Sequence, residues 1–306
     1  MGTRTCALTL VLLVASATVW TQQAPPPPPP RTLVWVDRAG TEQPLSAPPR
    51  AYANPRISPD GRRLAVTVEG QPEHIWVCDL PACSTLTQFT SQGTSNDLAV
   101  WTPDSRRLAF RSNTLGATNA FWQMADGSGG RERLAPLTAF NWQPRSFSPD
   151  GLLLATFVGN PATAGDIWFV RMNDHEAFPF LATPALEGAP RFSPDGQWLA
   201  YISGESGRVE VYVQQLPGIR GKWQISTGGG TEPVWNANGQ ELFYRSGNRM
   251  MAVAITTKPN FAAGRARMLF ERQYGLTQLP GTNQAYDVSS DGQRFLMIKA
   301  AGQGPS

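Results

Sequence analysis

The stretch Ser193-Pro194-Asp195-Gly196-Gln197-Trp198-Leu199-Ala200-Tyr201 reads as the end of one strand, a tight turn and the start of a second strand. Asp-Gly between apolar residues is a strong hairpin signal, because glycine adopts positive φ at no steric cost and aspartate bonds its own turn backbone. The same unit occurs six times, 43 to 53 residues apart, and its turn residues are Asp60, Asp104, Asp150, Asp195, Asn238 and Asp291.

An apolar frame accompanies every copy of this unit. Three positions before the turn residue stand Ile57, Trp101, Phe147, Phe192, Trp235 and Val288. Four positions after it stand Leu64, Leu108, Leu154, Leu199, Leu242 and Phe295. The fourth copy contains four strand-like runs, which are Pro190–Ser193, Trp198–Ser203, Val209–Gln215 and Lys222–Thr227. Four antiparallel strands in each repeat of roughly 45 residues make one propeller blade. The sequence therefore predicts an all-β, six-bladed β-propeller of four-stranded antiparallel blades.

The turn tetrapeptide also indicates a family. Ser-Pro-Asp-Gly is complete at Ser58–Gly61, Ser148–Gly151 and Ser193–Gly196, and Ile-Trp-Val-like strands follow at Ile75–Val77 and Ile167–Phe169. Three copies depart from it, namely Thr102–Ser105, Asn236–Gly239 and Ser289–Gly292. Over residues 32–299 the chain resembles the TolB-type β-propeller repeat, the Pro-Asp-Gly relative of the WD repeat. It is also similar to the propeller regions appended to bacterial membrane-spanning Ser/Thr protein kinases.

The sixth copy is incomplete, because only residues 300–306 follow the strand-like run at Phe295–Lys299. The missing pair of strands is present near the other end, at Thr32–Asp37 and Glu42–Leu45. We therefore expect a two-plus-two closure, in which N-terminal strands complete the last blade and remove two exposed sheet edges.

Residues 1–24 are predicted to be a targeting segment. Arg4 precedes a mostly apolar run from Cys6 to Val19, and Ala15-Ser16-Ala17 offers a small-x-small cleavage site. The run is shorter than the roughly 20 residues that a membrane-spanning helix needs. A cleaved signal peptide and an uncleaved N-terminal anchor are both compatible with this pattern.

Six consecutive prolines, Pro25–Pro30, predict a stiff linker over residues 25–31. The propeller is expected at residues 32–299 and a C-terminal tail at residues 300–306. The targeting segment predicts an exported protein, periplasmic or extracellular. The alternative is a membrane-anchored protein whose propeller lies outside the cytoplasm, with membrane contact through the uncleaved N-terminal segment only.

The charge pattern argues against a nucleic-acid partner. The net charge is only +3, and charged residues make up 16% of the chain, against about 25% in an average globular protein. Basic residues are dispersed among the turns, as at Arg62-Arg63 and Arg106-Arg107, instead of forming a basic stripe. We therefore expect no nucleic-acid binding, and a monomer in solution.

Two cysteines lie outside the targeting segment, Cys78 and Cys83, on either side of a predicted turn in the first blade. A hairpin can bring two cysteines to the Cα separation that a disulfide requires, and an oxidising compartment favours the bond. The sequence predicts a possible disulfide between them, with two unpaired cysteines as the alternative.

The sequence predicts no catalytic residue, no metal site and no cofactor. Neither a Gly-x-Ser-x-Gly nucleophile elbow nor a protein-kinase motif occurs. The two histidines, His74 and His175, are too few for the several-histidine metal sites of some propeller lyases that resemble this repeat. We interpret the turn aspartates as structural, because aspartate accepts backbone N–H bonds within its own turn.

Candidate binding residues come from the segments that enter each innermost strand, which line one mouth of a propeller channel. Polar and aromatic residues here differ among copies although the surrounding frame repeats, as expected where binding is built on a repeating scaffold. Solvated loops are the alternative interpretation. These residues are Tyr52, Asn54, Asn96, Asp97, Asn141, Trp142, Gln143, Glu187, Thr231, Glu232, Asn283 and Gln284.

Three functions are compatible with these features. The first is a non-catalytic, exported binding module that contacts a protein or peptide of the cell envelope through one propeller face. The second is an anchored, ligand-sensing ectodomain in signalling, related to the kinase-linked propellers. The third is a hydrolase or lyase with its site at the channel mouth, since propellers host many unrelated activities.

Overall fold

The computed structural model describes Gly2 and residues 26–136, 140–160, 163–218, 220–275 and 284–302. Regular structure over these ranges consists of β-strands alone. The first strands are β1 (Arg31–Asp37) and β2 (Glu42–Pro44). Apart from Gly2, the predicted targeting segment lies outside the described residues. In the part of the chain that is described, no helix is long and apolar enough to cross a membrane.

Five blades follow in chain order, each strand antiparallel to its neighbours. The first contains β3 (Tyr52–Ile57), β4 (Arg63–Val68), β5 (His74–Asp79) and β6 (Thr87–Gln88). The second contains β7 (Asn96–Trp101), β8 (Arg107–Ser112), β9 (Asn119–Met124) and β10 (Glu132–Arg133). The third contains β11 (Asn141–Phe147), β12 (Leu153–Gly159), β13 (Asp166–Arg171) and β14 (Ala177–Leu181). The fourth contains β15 (Glu187–Phe192), β16 (Trp198–Ser203), β17 (Glu210–Gln215) and β18 (Arg220–Gln224). The fifth contains β19 (Thr231–Trp235), β20 (Glu241–Ser246), β21 (Arg249–Thr256), β22 (Ala262–Ala263) and β23 (Arg267–Glu271).

The sixth blade joins the two ends of the chain. Strands β24 (Tyr286–Val288) and β25 (Arg294–Ala300) form one sheet with the first two strands, in the order β2-β1-β25-β24. The pairing runs from Arg31 opposite Ala300 to Asp37 opposite Arg294. This is the topology expected of a two-plus-two closure. The prediction of an all-β, six-bladed propeller with antiparallel blades is confirmed.

Some element boundaries differ from the sequence-based expectation. The strand β1 begins at Arg31, which the sequence assigned to the linker. The innermost strand β15 begins at Glu187, three residues before the expected start, because residues ahead of a register shift between Gly188 and Arg191 still pair with β16. The fifth blade has five strands, since β22 and β23 pair with opposite ends of the eight-residue β21.

The Pro-Asp-Gly turns hold themselves together as the sequence suggested. In the fourth copy Ser193 Oγ donates to Asp195 Oδ1 at 2.6 Å, and the same oxygen accepts the Gln197 N–H at 3.0 Å. The same pair of bonds recurs in the first, second, third and sixth copies. Ser105 replaces the turn glycine of the second copy at φ 58°. Its hydroxyl accepts the Asp60 N–H of the preceding blade at 3.1 Å, which offsets part of that conformational strain.

Large apolar side chains lie between the blades and form the core. One cluster joins Ala65 and Ile75 of the first blade to Trp101, Leu108 and Phe110 of the second. Tryptophans also bond one blade to the next. Trp101 Nε1 donates to Arg56 O at 2.9 Å, and Trp235 Nε1 donates to Arg191 O at 3.2 Å. The repeated aromatic positions thus serve packing, which agrees with their fixed phase in the sequence.

The two cysteines outside the targeting segment are joined. Cys78 at the end of β5 and Cys83 in the following turn form a disulfide, with their Cα atoms 5.1 Å apart. Both are buried, and they pack with Leu45 and Leu64 against the closing blade. The bond therefore fixes the outer edge of the first blade where the N-terminal strands lie against it.

Candidate functional site

The channel of the propeller has two ends, which we name from the innermost strands β3, β7, β11, β15, β19 and β24. At the strand-start end these strands begin, and at the turn end they run into the Pro-Asp-Gly turns. All predicted binding residues belong to the strand-start end. Asn283 lies outside the described residues. Asn141 and Thr231 are half-buried, and the buried ones are Tyr52, Asn54, Asn96, Asp97, Trp142, Gln143, Glu187, Glu232 and Gln284.

The acidic residues of the strand-start end are already engaged by groups of the protein. Asp97, 4% exposed, receives two hydrogen bonds from Arg111, of which the Nε bond measures 2.6 Å. Glu187 accepts hydrogen bonds from the backbone N–H and the hydroxyl of Thr183. Glu232 accepts the Ala285 N–H at 2.8 Å. These carboxylates hold strands and loops together.

The neutral residues of this end bond in the same way. Asn96 receives the Ser112 hydroxyl at 2.8 Å and donates to the backbone of the preceding loop. The side chain of Asn54 accepts the Gln284 N–H at 3.2 Å, which brings those two predicted residues together across the closing blade. Tyr52 instead bonds Pro48 O, away from the other predicted residues. The described residues of the strand-start end therefore form a buried, hydrogen-bonded polar layer.

The remaining predicted residues of this end make fewer contacts with one another. Trp142 packs edge-on against Trp168, with ring centroids 5.7 Å apart. Gln143 accepts a hydrogen bond from Arg145 at 2.6 Å. Thr231 lies opposite Arg245 in the β19–β20 ladder, and Asn141 lies opposite Gly159 in the β11–β12 ladder.

The sequence did not single out Glu73, which lies beside this layer. Its carboxylate accepts the Ser95 hydroxyl at 3.2 Å and lies close to Asp97 and Arg111. Burial, together with the neighbouring charge of Asp97, raises the pKa of Glu73 from its ordinary value of 4.5 to about 7. The residue is therefore partly protonated near neutral pH.

The turn end contains an open cavity of about 460 Å³. We call it the turn-end cavity. Its wall is apolar and is built by the residues three positions before five of the six turns and by four turn prolines, which are Ile57, Trp101, Phe147, Phe192, Trp235, Pro59, Pro103, Pro149 and Pro194. None of the predicted binding residues that the structure describes lines it. An apolar concavity with a few polar groups is the usual form of a binding site.

The floor of the turn-end cavity receives one residue from every blade. Each stands four positions before the turn residue, and together they are Arg56, Val100, Ser146, Arg191, Val234 and Asp287. The residues four positions before the turn differ in charge among the copies, although the apolar frame around them is constant. The sequence thus held a signal for this floor, the same non-repeating pattern that singled out the other end.

Charge on the floor is mostly positive. Arg56 is 4% exposed, and its Nη1 donates to Pro55 O at 2.8 Å. Arg191 donates from Nη1 to Arg145 O at 2.8 Å and from Nη2 to Gln284 Oε1. Asp287 Oδ2 accepts the Ile57 N–H at 2.8 Å and so ties the sixth blade to the first. Burial lowers the pKa of both Arg56 and Arg191, and for Arg56 the nearby Arg191 charge adds to this effect.

The chain is similar to known proteins in its three-dimensional structure. No protein-family model and no curated protein sequence matches the chain. A putative TolB from Agrobacterium tumefaciens superposes with a TM-score of 0.71 at 16% identity, over 89% of this chain and 98% of that one. TolB from Acinetobacter baumannii gives a TM-score of 0.60 at 17% identity, over 82% of this chain and 66% of that one.

The fold is a TolB-like six-bladed β-propeller. An oligogalacturonate lyase in complex with manganese also superposes, with a TM-score of 0.56 at 13% identity over 89% of this chain and 96% of that one. Among the described residues of the TolB-like propeller, no group of three or more His, Cys, Asp or Glu side chains is placed to hold a metal ion. His74 instead lies 3.2 Å from the Asn96 amide nitrogen, and His175 packs edge-on against Trp122.

Proposed function

We propose that this protein is a non-catalytic binding module that receives a segment of a protein or peptide partner in the turn-end cavity. The observation that carries the proposal is the cavity itself, which is open to solvent, apolar along its wall and polar at its floor. Aromatic and proline side chains give such a wall large contact area with little loss of conformational entropy on binding.

The lining of the turn-end cavity supports binding over catalysis. Its hydroxyls lie on Ser146 and Ser193. Ser146 Oγ accepts the Phe192 N–H at 3.2 Å, and Ser193 Oγ bonds Asp195 within the turn. Among the described residues neither hydroxyl is hydrogen-bonded to a histidine or a lysine, the bases that usually activate a serine nucleophile. A broad activity screen, with and without added divalent metals, tests the hydrolase or lyase alternative.

The experiment is selection of peptides from a displayed random library on the purified protein. Val100 lies on the floor of the cavity, so Val100→Trp fills it, whereas Leu152→Trp changes an exposed side chain of the third-copy turn outside the cavity. Selected peptides are expected to bind the Leu152→Trp control like the parent and to bind Val100→Trp at least tenfold more weakly. Equal binding to all three proteins, or no selected peptide, contradicts the proposal.

Export of the protein belongs to the same proposal. It is supported by the targeting pattern of residues 1–24 and by the Cys78–Cys83 disulfide, which an oxidising compartment would preserve. N-terminal sequencing of protein from its native envelope separates the two forms. A start after Ala17, or after Ala24 at the weaker second site Gln22-Gln23-Ala24, indicates a released, exported module. An intact start in the membrane fraction indicates an anchored, ligand-sensing ectodomain.

A further inference from the structure

We infer that the floor of the turn-end cavity binds the carboxylate of a ligand that enters end-on, and that Arg56 supplies the contacting guanidinium. The preferred ligand is the C-terminus of a peptide whose last side chain is apolar. This inference rests on the proposed function and specifies the chemistry that the cavity recognises.

The first support is a pair of positive charges that form no ion pair, one on the buried Arg56 and one on the half-buried Arg191. Arg56 of the first blade and Arg191 of the fourth lie on opposite sides of the ring of six. Neither forms an ion pair within 4.0 Å with a carboxylate of the described residues. A buried charge without a partner is unfavourable, and an anion placed between two of them offsets the cost of both.

The second support is the donor inventory of the two arginines. Nη1 of Arg56 is used by Pro55 O, while its Nε and Nη2 have no acceptor among the described residues. Both Nη atoms of Arg191 are occupied by Arg145 O and Gln284 Oε1. Arg56 therefore has a donor left for a ligand, and Arg191 contributes its charge from a fixed position. A guanidinium fork suits the two oxygens of a carboxylate.

The third support concerns the charge of the ligand. The acidic groups nearest the two arginines are Asp287 and Glu232, and both use oxygens to accept backbone N–H bonds. Arg145 also acts on Arg56, so three arginines lie near two carboxylates, which leaves one net positive charge around the floor. A singly charged carboxylate matches that small excess better than a doubly charged phosphate, which two nearby carboxylates would repel.

The fourth support is that the cavity has a bottom. Below the floor lie buried polar side chains of the strand-start end, where Asn54 accepts the Gln284 N–H, Glu232 accepts the Ala285 N–H and Gln143 bonds Arg145 of its own strand. Because these described side chains lie beneath the arginines, we expect an extended chain to end at the arginines. Above the floor, Trp101, Phe192 and Trp235 surround the position that the last side chain would occupy. An apolar C-terminal residue would place its carboxylate at the arginines and its side chain against this aromatic wall.

The test compares peptides that differ only at their C-terminus. Peptides ending in phenylalanine, as free acid and as amide, are titrated into the parent protein by calorimetry, together with N-acetyl-phenylalanine and phenyl phosphate. The free-acid peptide is expected to bind at least tenfold more tightly than the amide and than phenyl phosphate. N-acetyl-phenylalanine is expected to bind in the same arginine-dependent way but more weakly, because it lacks the contacts of the upstream residues.

Three variants assign the effect to the floor. In Arg56→Met the preference for the acid over the amide is expected to disappear. In Arg56→Lys, which keeps the charge but not the fork, it is expected to fall to severalfold. Arg62→Met, at an exposed arginine in the turn of the same blade, is the control and should keep the full preference. Thermal unfolding of each variant verifies that it is folded.

The outcomes separate this inference from the proposed function. Peptides that bind acid and amide equally, yet are excluded by Val100→Trp, leave the binding module intact and overturn the carboxylate site. Tighter binding of phenyl phosphate than of the acid also overturns it, as does an acid preference that persists in Arg56→Met. Peptides that bind the Val100→Trp variant as tightly as the parent protein contradict the proposed function itself.

Discussion

At the strand-start end of the channel, Asp97 and Glu187 are buried and accept hydrogen bonds from their own blade or the loop before it. At the turn end, Arg56 and Arg191 lie on the floor of an open cavity without a carboxylate partner among the described residues. Both ends are built from the same six strands and both carry charged side chains. The difference shows that charge in a channel indicates a ligand only where the protein itself leaves the charge unmatched.

Removing a charge that the protein already matches should have the largest effect on stability. In Asp97→Ala the largely buried Arg111 loses both of its hydrogen bonds to the carboxylate. We expect a loss of about 3–5 kcal/mol in the free energy of unfolding, measured by urea titration of tryptophan fluorescence. The control Glu205→Ala breaks the exposed ion pair with Lys222 and should cost under about 1 kcal/mol. Similar losses in both variants would remove the distinction between the two ends.

The next effect depends on pH and comes from Glu73. Its pKa of about 7 in the folded protein lies above its ordinary value of 4.5, so the folded state binds the proton more tightly than the unfolded chain. Ionisation of Glu73 therefore destabilises the parent protein as the pH rises from about 4.5 to about 7.

In Glu73→Gln the neutral amide resembles the protonated acid. We expect equal stability of variant and parent near pH 4, and a gain of about 2 kcal/mol for the variant at pH 8, after allowance for partial solvent screening. Paired unfolding curves between pH 4 and pH 8 measure this. A difference that does not change with pH would show that Glu73 contributes no shifted ionisation to the strand-start end.

The sequence was sufficient for the fold because the repeat carries it redundantly. Six turns with apolar residues at two fixed offsets define the blades, and the unpaired run at Phe295–Lys299 indicates where the N-terminal strands belong. The fifth blade carries one additional short strand at its outer edge. Edge strands there are short, and no apolar period marks Ala262–Ala263 as a strand.

The candidate site was less predictable, because the same pattern occurs at both channel ends. The sequence pattern singled out non-repeating residues at the strand-start end. The residues located four positions before each turn residue, such as Arg56 and Asp287, vary among the copies as well. Which end of the channel is filled by the protein's own side chains depends on local backbone conformation. Asn54, Leu98, Ala189 and Glu232 adopt φ between 48° and 57°, each at or beside a register shift of its innermost strand. Such bulges redirect side chains, and composition does not reveal them.

A smaller effect is expected at the rim of the turn-end cavity. Trp101→Phe keeps most of the apolar wall but removes the indole N–H that bonds Arg56 O. We expect a loss of about 1 kcal/mol in the free energy of unfolding, the usual net contribution of one hydrogen bond. The control is Trp122→Phe, where the indole bonds the exposed Glu132 side chain and should contribute less. If the control costs as much, the bond between the first two blades has no special role.

The smallest effect on stability should come from the residue with the largest expected effect on binding. Methionine at position 56 keeps the length of the side chain and removes a buried guanidinium that forms no ion pair with a described carboxylate. Replacing a poorly matched buried charge with an apolar group of similar size is often neutral or stabilising. We expect Arg56→Met to change the free energy of unfolding by less than about 1 kcal/mol, or to raise it.

Arg111→Met makes the same substitution at the strand-start end and leaves Asp97 buried without its partner, so that variant should lose about 3–5 kcal/mol. Urea titrations of the two variants under identical conditions compare the ends directly. Equal losses would mean that Arg56 is as well matched within the protein as Arg111, and its guanidinium would then not be held for a ligand.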